Sequence, residues 1–240
     1  LGYSGYYDNI GDMRNAGVEF AINGVPVRTK DIEWNIYVNA THYTNKIVRL
    51  PEERKTVEME GYKGYANGNK FIGEGLPLNT FKMRKYAGVD KESGLPMWYR
   101  DVKNPDTGEI TRETTTSYDA ATDYLCSDTT PKLYGGFGTS FRYRWLDIAV
   151  AFTYSIGGLT YDSGYAALMA PPGGSLGQNY HKDVLKAWTA EKPSNDIPRF
   201  VYNDQNINAT SDRFLTDASY LNFQNAQIGF TLPAKWTKAV

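Results

Sequence analysis

One stretch of the chain, residues 133–158, limits the possible folds more than any other. Its sequence, LYGGFGTSFRYRWLDIAVAFTYSIGG, holds two runs of alternating residues that meet at a very short turn around Trp145 and Leu146. One face of each run is apolar or aromatic, and the other face carries small or polar residues. Because successive side chains of a strand point to opposite faces, the pattern predicts a β-hairpin with one apolar and one polar face.

The length and composition of this hairpin favour a membrane barrel over a soluble β-sandwich, whose strands would also alternate. Each run has about ten to twelve residues, whereas an ordinary strand has about five or six. A tilted strand needs about nine to eleven residues to cross a bilayer. The Gly, Ala, Ser and Thr residues of the polar face suit the lumen of a wide barrel, and aromatic residues gather at the ends of the apolar face, where membrane interfaces hold them.

Further segments of the chain repeat this alternation. The other predicted strands are residues 14–25, 32–41, 80–89, 97–102 and 219–232. Short turns alternate with long polar connections, and those connections are residues 45–78, 103–132 and 157–213. Outer-membrane barrels have this asymmetry, with short turns on the periplasmic side and long loops outside the cell. We therefore expect the turns at 26–31, 90–96 and 145–146 to lie on the periplasmic side.

The last predicted strand changes phase along its length. Its apolar residues occupy odd positions first and even positions later, in the order Leu221, Phe223, Ala226, Ile228, Phe230 and Leu232. A strand of period two cannot place both sets on one face without an extra residue. The sequence therefore predicts a β-bulge near Gln224–Asn225.

The alternation also divides the predicted strands into two surfaces. The residues expected to face lipid are Val18, Phe20, Ile22, Trp34, Ile36, Val38, Phe137, Phe141, Val150 and Phe152. The residues expected to face the lumen are Glu19, Asn35, Ser140, Arg142 and Thr153. Four of the five tryptophans fall near predicted periplasmic turns or strand ends, so a membrane-interface girdle is predicted from Trp34, Trp98, Trp145 and Trp236.

The bulk composition excludes some classes of protein and leaves others open. No apolar run approaches the roughly 18 residues of a membrane helix, so membrane insertion requires a barrel. The net charge of −1 gives no reason to expect a nucleic-acid partner. The 19 tyrosines suit interfacial girdles, and they equally suit surfaces that contact carbohydrate. The chain shows no signal peptide and opens on a loop-like sequence, so we expect a piece of a longer protein.

Several motifs resemble the C-terminal part of the SusC/RagA family of TonB-dependent outer-membrane transporters. The motifs are NIGDMRNAGVEF (9–20), YAGVDKESGLPMWY (86–99), YGGFGTSFRY (134–143), YDSGYA (161–166), YHKDVLKAWT (180–189), NDIPR (195–199) and SDRFLTDASYLNFQNAQIGFTLPAKW (211–236). The resemblance implies that residues 1–240 are part of an all-β transmembrane antiparallel barrel of about 22 strands, about seven of them in this chain. The plug domain, the first strands and the last strands would lie outside it.

The same resemblance implies a function and partners. Members of the family import oligosaccharides or peptides across the outer membrane of Gram-negative bacteria, with energy that TonB transmits to their N-terminal region. They work with a SusD-like surface lipoprotein that acts as a lid, and dimers of transporter–lid pairs are in keeping with the family. The polar lumen and outer-membrane lipid would then be the chain's immediate surroundings.

Residues that would indicate an enzyme are scarce. His42 and His181 are the only histidines and lie far apart in the sequence, so we expect no catalytic residues and no resident cofactor or metal. The clusters at Asn104–Asp106 and Asn203–Asn206 have oxygens that suit calcium, although loop turns explain them equally well. A secreted β-sandwich that binds glycans remains the main alternative function, and a glycan hydrolase is disfavoured because no suitable pair of carboxylates stands out.

The loop at 157–212 is the expected place for partner or substrate contacts. It is the longest connection, and its short helical patterns put Val184, Leu185 and Trp188 on one face. The large aromatic side chains expected to make the contacts are Tyr161, Tyr165, Tyr180 and Trp188. The alternative is that they only pack the loop's own core. Replacing residues 163–199 by a Gly/Ser link is expected to leave the barrel inserted and to weaken lid binding and uptake.

Overall fold

The structure is a computed structural model that describes residues 2, 11–173, 177–204 and 206–237. The described chain is all-β, and its sheets are mostly antiparallel. The strands are β1 (Asp12–Arg28), β2 (Ile32–Arg49), β3 (Val57–Met59), β4 (Tyr62–Asn67), β5 (Lys70–Gly73), β6 (Thr80–Arg84), β7 (Tyr86–Val89), β8 (Pro96–Lys103), β9 (Ile110–Thr115), β10 (Asp123–Asp128), β11 (Leu133–Tyr143), β12 (Leu146–Ile156), β13 (Leu159–Tyr161), β14 (Leu215–Asp217) and β15 (Tyr220–Phe230).

Helical structure is limited to short pieces. The α-helices are α1 (Ser163–Leu168) and α2 (Ala234–Thr237), and the 3-10 helices are Glu52–Arg54, Lys182–Lys186 and Asp212–Phe214. None of the helices in the described ranges is long and apolar enough to cross a membrane. The helices at 163–168 and 182–186 fall where the sequence predicts helical patterns.

The chain divides into two compact units. The sheet unit comprises Met13–Lys46, Thr129–Leu159 and the described residues from Asp217 onward. The loop unit comprises Ile47–Asp128 and the described residues of Thr160–Thr216, together with Asp12. All the long strands belong to one five-stranded sheet, in the order β1-β2-β11-β12-β15.

The hairpin predicted at 133–158 is confirmed. β11 and β12 pair antiparallel without interruption from Leu133 opposite Ile156 to Tyr143 opposite Leu146. Two residues, Arg144 and Trp145, connect them, and Arg144 takes a left-handed φ of 50°. The Arg144 amide donates to the Asp31 carbonyl at 2.8 Å, so the β1–β2 turn and the β11–β12 turn meet at one end of the sheet.

The predicted bulge in the last strand is also confirmed. In the pairing of β12 with β15, Ala151 lies opposite Asn225 while the next residue, Phe152, lies opposite Phe223. Gln224 is therefore the extra residue, and it has no partner across the ladder. Its insertion returns the apolar residues before and after it to the same face of the sheet.

The register of the sheet separates an apolar face from a polar face. Phe137 lies opposite both Val38 and Phe152, and Phe141 lies opposite both Trp34 and Ile148. The ring centroids of Phe137 and Phe152 are 5.1 Å apart in a stacked arrangement. Large side chains of this face remain exposed, among them Phe20 at 57 %. The predicted alternation is therefore correct, and contact of the apolar face with lipid stays a prediction.

The loop unit contains strands where the sequence predicts long polar connections. β3, β4 and β5 lie within 45–78, and β9 and β10 lie within 103–132. They form the sheet β10-β6-β5-β4-β3 and, with β7 and β8, the sheet β7-β8-β9. These strands have only three to eight residues, and their core is assembled from distant parts of the chain around Phe71, Met83 and Phe214. Local alternation is too short there to reveal them.

Two of the seven strands predicted for one barrel wall belong elsewhere. Residues 80–89 are divided into β6 and β7, and residues 97–102 form most of β8. All three strands are in sheets of the loop unit rather than in the long sheet. Among the described residues the prediction of about seven wall strands is therefore wrong, and five long strands form that sheet. The turn at 90–96 connects β7 and β8, which are not strands of the long sheet. Its predicted position on the same rim as the turns at 26–31 and 145–146 is therefore not supported.

Candidate functional site

The polar face of the long sheet is a continuous surface of small and hydrogen-bonding side chains. Ser140 lies opposite Asn35 on β2 and Ala149 on β12, and Ala149 in turn lies opposite Gln227 on β15. The next row toward the turns has Arg142 between Glu33 and Asp147. A shallow cavity of about 390 Å³ lies over these two rows.

Hydrogen bonds hold the side chains of this face in place. Asn35 Nδ2 donates to Ser140 Oγ at 3.3 Å. The Gly136 amide donates to Asn39 Oδ1 at 3.0 Å. These groups offer neutral donors and acceptors to a polar solute, and the arrangement includes no nucleophile with a neighbouring base.

Charged groups concentrate at the turn end of the polar face. The Glu33 carboxylate lies between two guanidinium groups, with Arg142 Nη2 at 2.6 Å and Arg28 Nη2 at 3.1 Å. Ion pairs of such exposed arginines contribute little to stability, so their main effect is to orient the charges. This end of the face therefore presents fixed charges, whereas the middle presents amides, hydroxyls and small side chains.

The structure corrects one member of the predicted tryptophan girdle. Trp98 is only 1 % exposed and packs edge-on against Tyr118 in the loop unit, with ring centroids 5.1 Å apart. It cannot contact a membrane interface, and its prediction is wrong because the 90–96 turn does not belong to the long sheet. Trp34 and Trp145 are 39 % and 49 % exposed in the sheet unit, and Trp236 is 65 % exposed. Their role in a girdle stays a prediction.

Tyr161 and Tyr165 pack inside the loop unit. Both contact a hydrophobic cluster of Ala166, Met169, Ile197 and Phe214. The Tyr165 ring lies 6.0 Å from Phe214 and 4.8 Å from His181, both edge-on. Their packing matches the alternative in which these rings build the loop's own core.

Tyr180 and Trp188 also have intramolecular partners. The Tyr180 ring packs edge-on against Phe200 at 5.1 Å. Trp188 lies so close to Gly94 that a Cβ atom there would come within 2.3 Å of its ring. Gly94 also has a left-handed φ of 72°, so this turn requires glycine for both reasons. Contact of the four aromatic residues with a partner or substrate stays a prediction.

The candidate calcium clusters contain ordinary turn contacts. Asn104 Oδ1 accepts hydrogen bonds from the amides of Asp106 and Thr107, as in a loop turn. In the second cluster, Gln205 lies outside the described residues. No group of three His, Cys, Asp or Glu side chains in the described part of the chain is placed to hold a metal ion.

Comparison with known proteins shows what the chain is similar to. No family model matches the sequence. The chain is 26 % identical over 238 residues to TonB-dependent receptor P3 of Formosa agariphila, covering 97 % of this chain and 23 % of the relative. It is 24 % identical over 233 residues to TonB-dependent receptor SusC of Bacteroides thetaiotaomicron, covering 95 % of this chain and 21 % of the relative.

Solved structures agree with the curated relatives. The chain superposes on the RagAB peptide transporter with a TM-score of 0.76 and 26 % identity, over 95 % of this chain and 24 % of that chain. The RagAB peptide importer in its open-open state gives a TM-score of 0.73, also with 26 % identity, over 96 % of this chain and 23 % of that chain. The resemblance of this chain to the SusC/RagA family of TonB-dependent transporters is confirmed. The chain spans less than a quarter of the length of these relatives.

One exposed feature of this chain was not predicted from its sequence. Leu185 is 86 % exposed, whereas its neighbour Val184 packs against the hydrophobic cluster of the loop unit. The sequence pattern had put both residues and Trp188 on one face of an α-helix, but the structure has a 3-10 helix at 182–186 that ends before Trp188. Tyr202, at 68 %, is a second large exposed side chain of the loop unit.

Proposed function

We propose that this chain is part of an outer-membrane importer that takes up oligosaccharides or peptides with energy transmitted by TonB. The observation that carries the proposal is the register of the long sheet, which keeps an apolar and a polar face separate across its strands. Relatives named as TonB-dependent receptors and as a peptide transporter support the same activity.

In this proposal the long sheet is a section of a transmembrane barrel wall. Its apolar face contacts lipid, and its polar face borders the water-filled path of the nutrient. The outer edges of β1 and β15 would pair with strands outside this chain, because hydrocarbon does not tolerate unpaired backbone groups. The turns at 29–31 and 144–145 would lie on the periplasmic side.

Cysteine labelling tests which face meets water. Ser140→Cys and Val150→Cys lie on opposite faces of adjacent strands, and Val150 is opposite Thr139, the neighbour of Ser140. In the full-length transporter in lipid bilayers, a charged maleimide should label Ser140→Cys at least about tenfold faster, because lipid excludes the reagent. Quantitative mass spectrometry of the two variants gives the rates.

The background for this experiment is a variant in which native cysteines are replaced. Cys126 is the only cysteine of this chain. Burial raises the pKa of its thiol to about 11, so even the unreplaced Cys126 should react slowly with the maleimide at neutral pH. Equal labelling of the two introduced cysteines, or faster labelling of Val150→Cys, would contradict the proposed wall. Recovery of the protein in the soluble fraction would instead favour the secreted glycan-binding sandwich.

We also propose that the loop unit contacts a SusD-like lid lipoprotein. Its exposed apolar side chains Leu185 and Tyr202 are suited to a protein interface, since large apolar groups near an interface centre dominate binding. A point substitution separates lid contact from folding better than removal of residues 163–199 does. That segment supplies Ala166, Met169 and Ile197 to the hydrophobic cluster of the loop unit. Shortening it would disturb the folding of the loop unit as well as any partner contact.

Leu185→Lys should reduce the amount of lid lipoprotein that co-purifies with the full-length transporter by about tenfold, because it places a charge in an apolar contact. Leu185→Met is the matched control and should retain the wild-type yield, since it keeps an apolar side chain of similar volume. The barrel itself should remain assembled in both variants, as judged by the mobility of unboiled samples on a gel. A wild-type yield of lid with Leu185→Lys would show that the lid does not contact this residue.

A further inference from the structure

A polar cleft in the loop unit is lined by residues that do not belong to the proposed barrel wall. It has a volume of about 410 Å³ and lies beside β6, where Lys82, Arg84 and Asp123 border it together with Tyr118. Alternation along β6 buries Phe81 and Met83 in the core and leaves Lys82 and Arg84 on the other side, toward the cleft. The strand therefore delivers two cationic side chains to the same cavity.

The guanidinium of Arg84 is held in a defined position. Its central carbon lies 3.8 Å from the centroid of the Tyr118 ring. Tyr118 is fixed at two points, since its hydroxyl donates to the Thr210 carbonyl at 2.7 Å and its ring packs against the buried Trp98. Arg84 Nε makes a long contact of 3.4 Å with the Ala121 carbonyl. A planar cation stacked on an immobile ring loses little conformational freedom when it binds a ligand.

The outer nitrogens of Arg84 are available for a ligand. Within the ranges that the structure describes, neither Nη atom donates a hydrogen bond or has a carboxylate within ion-pair distance. Asp123 lies directly opposite Arg84 in the β6–β10 register, but its carboxylate accepts from Lys82 Nζ at 2.8 Å instead. Two cations and one carboxylate leave the cleft with one net positive charge, located on Arg84.

We propose that this cleft binds a carboxylate group, with the two Nη atoms of Arg84 as a bidentate donor. Guanidinium and carboxylate match in geometry and charge, and such paired hydrogen bonds are stronger than those between neutral groups. The carboxylate is supplied either by the C-terminus of a peptide or by a uronic acid of an acidic oligosaccharide. The site goes beyond the proposed import function, because its occupancy is measured by binding and requires neither TonB nor transport.

Calorimetric titration of the full-length transporter in detergent tests the proposal with four probes. Triglycine and digalacturonate have a carboxylate, whereas triglycine amide and neutral digalactose lack one. Wild type should bind at least one carboxylate probe at least about tenfold more tightly than its neutral counterpart. The probe that binds identifies the source of the carboxylate. Equal affinity for both members of each pair would overturn the proposal.

Variants connect the binding to Arg84. Arg84→Gln should weaken the preferred probe at least about tenfold, and Arg84→Lys should cause a smaller loss, because it keeps the charge but not the bidentate geometry. Arg100→Gln is the matched control, since Arg100 is an arginine of the same unit whose Nη2 pairs with Glu113 at 3.1 Å. The affinity of Arg100→Gln for the preferred probe should equal that of wild type. Unchanged affinity in Arg84→Gln would overturn the proposal. If that variant fails to assemble, Arg84→Lys takes its place, and unchanged affinity in Arg84→Lys would overturn the proposal.

Discussion

Val150→Arg should lower the free energy of unfolding of the assembled transporter by about 2–4 kcal/mol, the cost of an arginine on the lipid face near the bilayer midplane. Val150 is in the middle of β12, between Thr139 on β11 and Ala226 on β15. A charge at this position has no partner among these neighbours. Urea titration of the unboiled gel mobility in lipid-like detergent gives the change in free energy.

Ala149→Arg is the matched control for this substitution. Ala149 is the preceding residue of the same strand, but it borders the cavity on the polar face with Ser140 and Gln227. An arginine there can extend into water, so stability should change by less than about 1 kcal/mol. Equal losses in the two variants would show that the faces are not exposed to different solvents, which would remove the physical basis of the barrel wall.

Deletion of Ser140 should abolish assembly of the sheet. Ser140 is in the middle of β11, paired with Asn35 on one side and Ala149 on the other. Without it, one half of β11 must slip by one residue against both neighbours, which moves large side chains such as Phe141 to the polar face. Each large apolar side chain lost from its environment costs about 1.5–3 kcal/mol. The yield of folded protein in outer-membrane fractions measures the effect.

Deletion of Gln224 removes the same number of residues and should be tolerated. Gln224 is the unpaired residue of the bulge, so its loss leaves Asn225 opposite Ala151 and Phe223 opposite Phe152. Every other residue of β15 keeps its partner and its face, and only the local bend is lost. If deletion of Gln224 were as damaging as deletion of Ser140, the bend rather than the register would control assembly of this edge.

The hairpin and the bulge could be predicted from the sequence because both follow from the alternation of apolar and polar residues within single strands. β11, β12 and β15 have eleven residues each, which is long enough to establish a period of two and, in β15, to reveal a change of phase at Gln224. The strands of the loop unit are shorter, with three to eight residues, and β6 pairs with β10, which lies about forty residues further along the chain. Trp98 is an example. The sequence showed that it lies close to the turn at 90–96, but it did not show that this turn belongs to a sheet of the loop unit.

The polar face of the sheet could be predicted from the sequence, whereas the cleft at Arg84 could not. The polar face of the sheet was predicted because residues such as Asn35 and Ser140 alternate with apolar ones within a single strand. The environment of Arg84 depends on Tyr118 and on the Thr210 carbonyl, which are remote from it in the sequence. Leu185 was misplaced because an α-helical face that included Trp188 was assumed, whereas the chain forms a 3-10 helix that ends at Lys186.

The connections of the long sheet are unequal, and this affects how members of such a family can diverge. β1 and β2, and likewise β11 and β12, are joined by only a few residues, whereas the loop unit is inserted between β2 and β11 and between β12 and β15. Insertions or deletions within 50–132 or 162–214 change no residue pair of the long sheet, because its register is set by the strands themselves. New recognition surfaces can therefore evolve through changes of loop length while the sheet keeps its pairing.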